Sequence, residues 1–226
     1  MVFRIVSVVL VLGCFGVAWA APTLHAQEPV AELEADLFQG MYGPLPQTVR
    51  ENMLRYSWRP GCPVDLEDLR YVTVSYLGFD NEVHVGELVV HKDVAEEVLA
   101  IFSDLLAAEF PIERMRLIDH YQGDDGLSMA DNNTSAFNCR KATGSDVFSR
   151  HSWGMAIDIN PLLNPYMKGD VVLPPEGLAY MDRDKTVPGL ITAGDACWES
   201  FVSRGWQWGG DWNSLKDYQH FETTGP

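Results

Sequence analysis

The distribution of apolar positions along the chain first predicts a β-hairpin. Residues 71–79 (YVTVSYLGF) and 82–91 (EVHVGELVVH) are rich in β-branched and aromatic side chains, and Asp80-Asn81 between them supplies a turn. We therefore expect two strands joined by a short connection.

After the hairpin the apolar residues adopt a helical spacing. One stripe of a helix surface would carry Val94, Val98, Leu99, Phe102, Leu105 and Leu106. Asp93 can cap this helix with Glu96 as its reciprocal partner, and Phe110-Pro111 is expected to end it.

The second half of the chain has shorter and more polar segments. Residues 114–121 (RMRLIDHY) predict a strand, and residues 122–140 (QGDDGLSMADNNTSAFNCR) predict a long polar loop that ends in a short apolar strand. Residues 195–204 predict a helix that stops at Gly205, and Gly209-Gly210 predicts a sharp turn.

These elements predict an α+β fold, a small antiparallel sheet with flanking helices, in one compact domain over residues 66–226. Residues 21–65 are rich in proline and polar side chains and are interpreted as an N-terminal arm with a short helix near residues 30–38.

The first twenty residues indicate export. Arg4 precedes a short apolar core, and Ala18-Trp19-Ala20 offers small residues at the spacing that signal peptidase requires. We expect cleavage after Ala20 and a secreted or periplasmic protein, because the apolar stretch is too short for a good membrane span. Lipidation at Cys14 is the less favoured alternative.

Charge and cysteine content narrow the possible partners. The chain has 226 residues, 46% of them hydrophobic, and a formal net charge of −16, so nucleic acid and anionic membranes are not expected partners. No obligate protein partner is evident. Cys62, Cys139 and Cys197 remain after cleavage, which allows one disulfide whose pairing the sequence leaves open.

An aspartate inside an apolar run provides the first chemical clue. In residues 149–160 (SRHSWGMAIDIN), Asp158 lies between Ile157 and Ile159 as if within a buried strand. A buried carboxylate needs a partner that neutralises it. His151 lies seven residues upstream, so a metal ion is one candidate for that partner.

A catalytic zinc site needs a third protein ligand and a general base. His220 is the best third ligand, and Asp217, three residues earlier, is the leading base. In an extended strand these two side chains would face opposite sides, so we expect a turn between them. Glu222 is the rival base or a partner of His220.

Together the motifs resemble a known family. Ser-x-His-x-x-Gly-x-Ala-x-Asp at residues 149–158, followed by Asp-x-x-His at residues 217–220, is similar to the zinc D-Ala-D-Ala carboxypeptidases. That family includes VanY-like carboxypeptidases, vancomycin-resistance dipeptidases and phage L-alanyl-D-glutamate endopeptidases, and its fold is shared with hedgehog signalling domains.

The resemblance implies roles for individual residues. His151, Asp158 and His220 would hold Zn²⁺, and Asp217 would act as the general base. Arg140, at the end of residues 134–140 (TSAFNCR), would stabilise the developing oxyanion, although its spacing departs from the family pattern. Ser149 would bind substrate or hydrogen-bond within its turn. Trp206, Trp208 and Trp212 would line the cleft or pack under the sheet.

The implied function is hydrolysis of peptidoglycan stem peptides by metal-activated water, of either the carboxypeptidase or the endopeptidase type. Two alternatives remain. The first is a non-catalytic zinc-containing module that binds the cell wall, against which the acidic residue at 217 argues. The second is a zinc hydrolase of non-wall peptides.

Overall fold

The computed structural model of the chain describes residues 38–224. The predicted signal peptide, the lipidation alternative at Cys14 and nearly all of the helix predicted over residues 30–38 lie outside this range. No helix among the described residues is long and apolar enough to cross a membrane.

Four α-helices and eleven short strands are present in residues 38–224. The helices are α1 (Gln47–Tyr56), α2 (Ala95–Ala107), α3 (Asp125–Ala130) and α4 (Ala196–Val202). The strands are β1 (Gly40–Gly43), β2 (Leu69–Leu77), β3 (Val83–His91), β4 (Arg114–Met115), β5 (Asn133–Thr134), β6 (Ala156–Asp158), β7 (Tyr166–Lys168), β8 (Val171–Leu173), β9 (Gln207–Trp208), β10 (Lys216–Asp217) and β11 (His220–Glu222). The predicted α+β class is confirmed.

The strands form several small sheets. Three are antiparallel and three-stranded, with the orders β1-β2-β3, β6-β11-β9 and β10-β7-β8. Strands β4 and β5 form a short parallel pair.

The predicted hairpin is confirmed. Strands β2 and β3 pair in antiparallel register from Leu69 opposite His91 to Leu77 opposite Val83. Asn81 in the connection has a φ of 61°, a conformation that asparagine tolerates better than most residues. Strand β1 adds to the hairpin, so part of the predicted N-terminal arm packs on the domain.

Helix α2 packs most of its predicted stripe onto the first sheet, although the structure buries Ile101 in the core and leaves Leu106 outside it. The predicted capping box is wrong. Val94 occupies the N-cap position without a side-chain cap hydrogen bond. The Asp93 carboxylate lies 3.3 Å from His91 Nδ1 instead. The helix also ends at Ala107, before Phe110, because Glu109 adopts a left-handed conformation with φ 53°.

The segment after α2 differs from its prediction in two places. Of the strand predicted over residues 114–121, only β4 forms, and Ile118–Tyr121 is a 3-10 helix. The predicted polar loop contains α3, which Asp124 caps by accepting a hydrogen bond from the Leu127 amide at 3.0 Å. A local side-chain cap therefore stabilises helix in a segment without a clear apolar period.

The main core lies between α2, the first sheet and the β6-β11-β9 sheet. Ile157 on β6 and Phe221 on β11 are fully buried in it, and Phe221 stacks on Phe201 of α4 with ring centroids 4.0 Å apart. Because side chains alternate along a strand, their neighbours Asp158 and His220 face the other side of the sheet. That other side carries the candidate site.

A disulfide joins Cys62 to Cys139, with the two Cα atoms 5.9 Å apart. It links the segment after α1 to the residue that precedes Arg140. Cys197 is a buried free thiol on α4. The structure thus resolves the pairing that the sequence left open.

Candidate metal centre

Two of the three predicted metal ligands are cross-strand neighbours. His220 on β11 lies directly opposite Asp158 on β6. Opposite residues of an antiparallel pair place their side chains on one face, about 5 Å apart at Cβ. The backbone pairing therefore brings together two groups that are 62 residues apart in sequence.

The third predicted ligand reaches them from a single turn of 3-10 helix, Arg150–Trp153. The Ser149 side chain caps this turn by accepting a hydrogen bond from the His151 amide at 3.4 Å. Gly154 ends it with a φ of 68°, and a Cβ there would lie 2.6 Å from the His91 amide nitrogen. Glycine is thus required for the chain to turn from His151 into β6.

The ligand atoms of the three residues surround one point. His151 Nε2 lies 3.1 Å from Asp158 Oδ2 and 3.1 Å from His220 Nδ1, and His220 Nδ1 lies 3.0 Å from Asp158 Oδ1. Four-coordinate zinc with ligand distances of roughly 2.0–2.1 Å places its ligand atoms about 3.3 Å apart. All three residues are buried, with at most 5% of each exposed.

Hydrogen bonds outside this group orient both imidazoles. His151 Nδ1 donates to the Ala136 carbonyl at 2.5 Å, so its Nε2 lone pair faces the Asp158 carboxylate. His220 Nε2 lies 3.0 Å from Glu222 Oε2, which leaves Nδ1 for the site. A lone pair facing a carboxylate oxygen at 3.1 Å requires a cation or a proton between them, so the residues present fit a metal.

Without a metal, a proton supplies the positive charge. Burial opposes the charged form of His220, but hydrogen bonds with Asp158 and Glu222 outweigh it and raise the pKa of His220 to about 10. Burial also opposes ionisation of Asp158, yet His151 and His220 hold the pKa of that carboxyl well below its usual range. The site is therefore built around a positive charge.

The turn expected between Asp217 and His220 is present. Strand β10 ends at Asp217, residues 218–219 turn, and β11 begins at His220. Asp217 lines the same cleft as the three ligand residues. The pKa of Asp217 is raised to about 6, mainly by burial, with His220 opposing the change and nearby Asp158 adding to it. An acid of that strength can exchange a proton near neutral pH.

Arg140 and Ser149 also line the cleft, each with a partner from the protein. The Arg140 guanidinium forms an ion pair with Asp125 of α3, with Nη2 and Oδ2 2.8 Å apart. Ser149 hydrogen-bonds within its turn, as one of its two predicted roles requires. The role of Arg140 in catalysis and that of Ser149 in substrate binding stay predictions.

The three tryptophans separate into two groups. Trp206 and Trp208 are buried in the main core. Trp212 lies at the cleft with its ring centroid 5.4 Å from that of His220. Two of the three tryptophans therefore pack in the core, and one lines the cleft.

Asp125 and Gln219 are two of the polar side chains of the cleft that sequence reasoning missed. Asp125 lies in the segment interpreted as a polar loop, and its approach to Arg140 depends on α3. Gln219 lies inside the Asp-x-x-His motif at a position where the motif accepts any residue. The sequence signal that could have identified Gln219 is its position between the two specified residues of the motif, Asp217 and His220.

Comparison with known proteins agrees with this geometry. The family model described as D-alanyl-D-alanine carboxypeptidase matches residues 143–223, which include all three ligand residues and Asp217. No curated protein and no solved structure matches the chain significantly. The predicted resemblance is confirmed: over residues 143–223 the chain is similar to the family described as D-alanyl-D-alanine carboxypeptidase.

Proposed function

We propose that the protein is a zinc-dependent peptidase that hydrolyses stem peptides of bacterial peptidoglycan. The observation that carries the proposal is the convergence of His151, Asp158 and His220 on one point, with Asp217 lining the same cleft. A pure zinc-binding module has no need of a partly buried carboxylate beside the proposed ligands. The family match supports a peptide substrate.

In this proposal His151, Asp158 and His220 would hold Zn²⁺, which would supply a Lewis acid for the scissile carbonyl and for water. Asp217 would accept the proton of the attacking water on its carboxylate and pass it to the leaving amine. Its raised pKa suits both transfers near neutral pH.

Arg140 would hold its guanidinium close to the negative charge that develops on the carbonyl oxygen. The ion pair with Asp125 supports this role, because it restricts the guanidinium to the cleft. Ser149 would contact the peptide; its position in the lining of the cleft supports this role, although its side chain already caps the turn that carries His151.

We further propose that the protein is exported, with cleavage after Ala20, and works in the periplasm or outside the cell. The disulfide between Cys62 and Cys139 supports this location, because such bonds persist in oxidising compartments. Residues 66–226 would form the peptidase domain, and residues 21–65 the arm that leads into it.

The decisive experiment is digestion of purified peptidoglycan, with mass spectrometry of the released fragments. We expect stem-peptide fragments, loss of activity with a chelator, and recovery when zinc is restored. Zinc-dependent binding without new fragments would favour the cell-wall binding module. Cleavage of unrelated peptides but not of peptidoglycan would favour a hydrolase of non-wall peptides.

A further inference from the structure

Gln219 occupies the turn between the proposed base and the third ligand residue. Its backbone carbonyl accepts a hydrogen bond from the Ile159 amide at 3.0 Å, which fixes the turn to the residue after β6. The residue is only 3% exposed, and its side chain lines the cleft. Gln219 is therefore held rigidly beside Asp217.

The two ends of the Gln219 amide have different environments. Nε2 lies 3.2 Å from Asp217 Oδ1 and 3.6 Å from the sulfur of Met129. Oε1 is buried and has no hydrogen-bond partner within residues 38–224. Exchanging the amide nitrogen and oxygen would place two oxygens against each other, so the N–H must face Asp217.

This arrangement does not favour stability. A buried carbonyl oxygen without a partner costs about 1–3 kcal/mol, and methionine has a similar shape without that oxygen. What the amide offers, and methionine does not, is an N–H directed at Asp217. A group that weakens packing beside a proposed base is typical of a functional position.

We propose that Gln219 is a positioning residue for the base Asp217. By donating to Oδ1 it holds the carboxylate in one orientation, and it leaves Oδ2, to which no side chain among the described residues donates, free to accept a proton. The proposal rests on the proposed function, in which Asp217 is the base.

The first test is Gln219→Met in the full-length mature protein, with Gln207→Met as the matched control because Gln207 is exposed on β9. We expect kcat to fall about 10- to 100-fold, as misplacement of a reacting group does, with KM changed less than twofold. Zinc content should remain one per chain, and Tm should stay the same or rise as the unpaired oxygen disappears. The control should match wild type.

The second test separates positioning from a structural role. If Gln219 acts through Asp217, Gln219→Met should have no further effect on the residual activity of Asp217→Ala. An equal fold-loss in both backgrounds, or unchanged kcat in the single variant, would overturn the positioning role while leaving the proposed function intact. Wild-type protein loaded with zinc that cleaves no peptide would overturn the proposed function, and the positioning role with it.

Discussion

At the scale of single residues, His220 links the proposed metal centre to strand β11, which carries it. Nδ1 points to Asp158 and His151, and Nε2 points to Glu222 two residues later. One imidazole therefore connects the proposed ligands to a carboxylate outside them. In the metal-free protein both nitrogens hold protons, because both have carboxylate neighbours.

Metal and proton should consequently compete for His220. With the pKa of His220 at about 10, metal binding at pH 7–9 must release one proton. The expected apparent zinc affinity rises about tenfold per pH unit across this window and levels off above the pKa. Calorimetry in buffers of different ionisation enthalpy measures the proton release directly. Binding with no released proton at pH 8 would show that His220 is neutral before the metal arrives.

Replacement of Asp217 and of His220 by alanine should have different effects on turnover and on zinc binding. Asp217→Ala removes the proposed proton acceptor but no ligand, so turnover should fall on the order of 10²- to 10⁴-fold with zinc retained. His220→Ala leaves two protein ligands and should weaken zinc binding itself. Elemental analysis and peptide hydrolysis, measured on the same preparations, distinguish the two effects.

Glu222→Gln is the control for this assignment. The carboxylate of Glu222 hydrogen-bonds to His220, so its loss should reduce zinc affinity moderately rather than remove proton transfer. An inactive Glu222→Gln that retains zinc, alongside an active Asp217→Ala, would make Glu222 the base.

At the scale of elements, the centre depends on very short pieces of secondary structure. Strands β6 and β11 have three residues each, and His151 comes from a 3-10 helix of four. Such pieces have little stability of their own and persist because their apolar neighbours are buried in the core. The register between β6 and β11 then sets the ligand geometry.

Gly154 controls how the 3-10 helix joins β6. In Gly154→Ala the Cβ would meet the His91 amide nitrogen at 2.6 Å, in addition to the roughly 1–2 kcal/mol cost of a left-handed alanine. Gly169→Ala is the matched control, because Gly169 has a φ of 58° but no atom within 4 Å of the added Cβ. Chemical denaturation should show a larger loss in Gly154→Ala, together with weaker zinc binding. Equal losses of unfolding free energy in the two variants would mean that the backbone near His91 can move away from the added Cβ at little cost.

The sequence predicts long periodic elements and chemically distinctive residues better than local detail. The β2-β3 hairpin and helices α2 and α4 follow from composition and period. The short helix α3 has no clear period, and the two-residue strands exist only through their pairing partners. The three residues proposed as ligands could be selected from the sequence because few residue types bind zinc, whereas the contact of Gln219 with Asp217 requires the folded turn.

At the scale of the whole molecule, the disulfide joins the segment between β1 and β2 to the segment that follows β5. Cys62 and Cys139 are 77 residues apart, and the bond encloses strands β2 to β5 with helices α2 and α3. In the chain-entropy model a loop of this size contributes about 4.5 kcal/mol by restricting the unfolded chain. The family match begins at residue 143, just beyond this loop.

Reduction should therefore destabilise the protein by about 2–5 kcal/mol. The measurement is the free energy of unfolding by denaturant with and without a reductant. Cys62→Ser should show the lower value in both conditions, because it has no bond to lose. A wild-type protein that does not respond to reductant would show that the bond contributes little.

The position of this bond also bears on when the protein becomes active. Cys139 is bonded directly to Arg140, so the bond that closes the loop also anchors the residue proposed to face the reacting carbonyl. A newly made chain in a reducing cytoplasm would lack that anchor. On the proposed route of export, oxidation after translocation would then act as a maturation step, and hydrolytic capacity would arise only where the cell wall is.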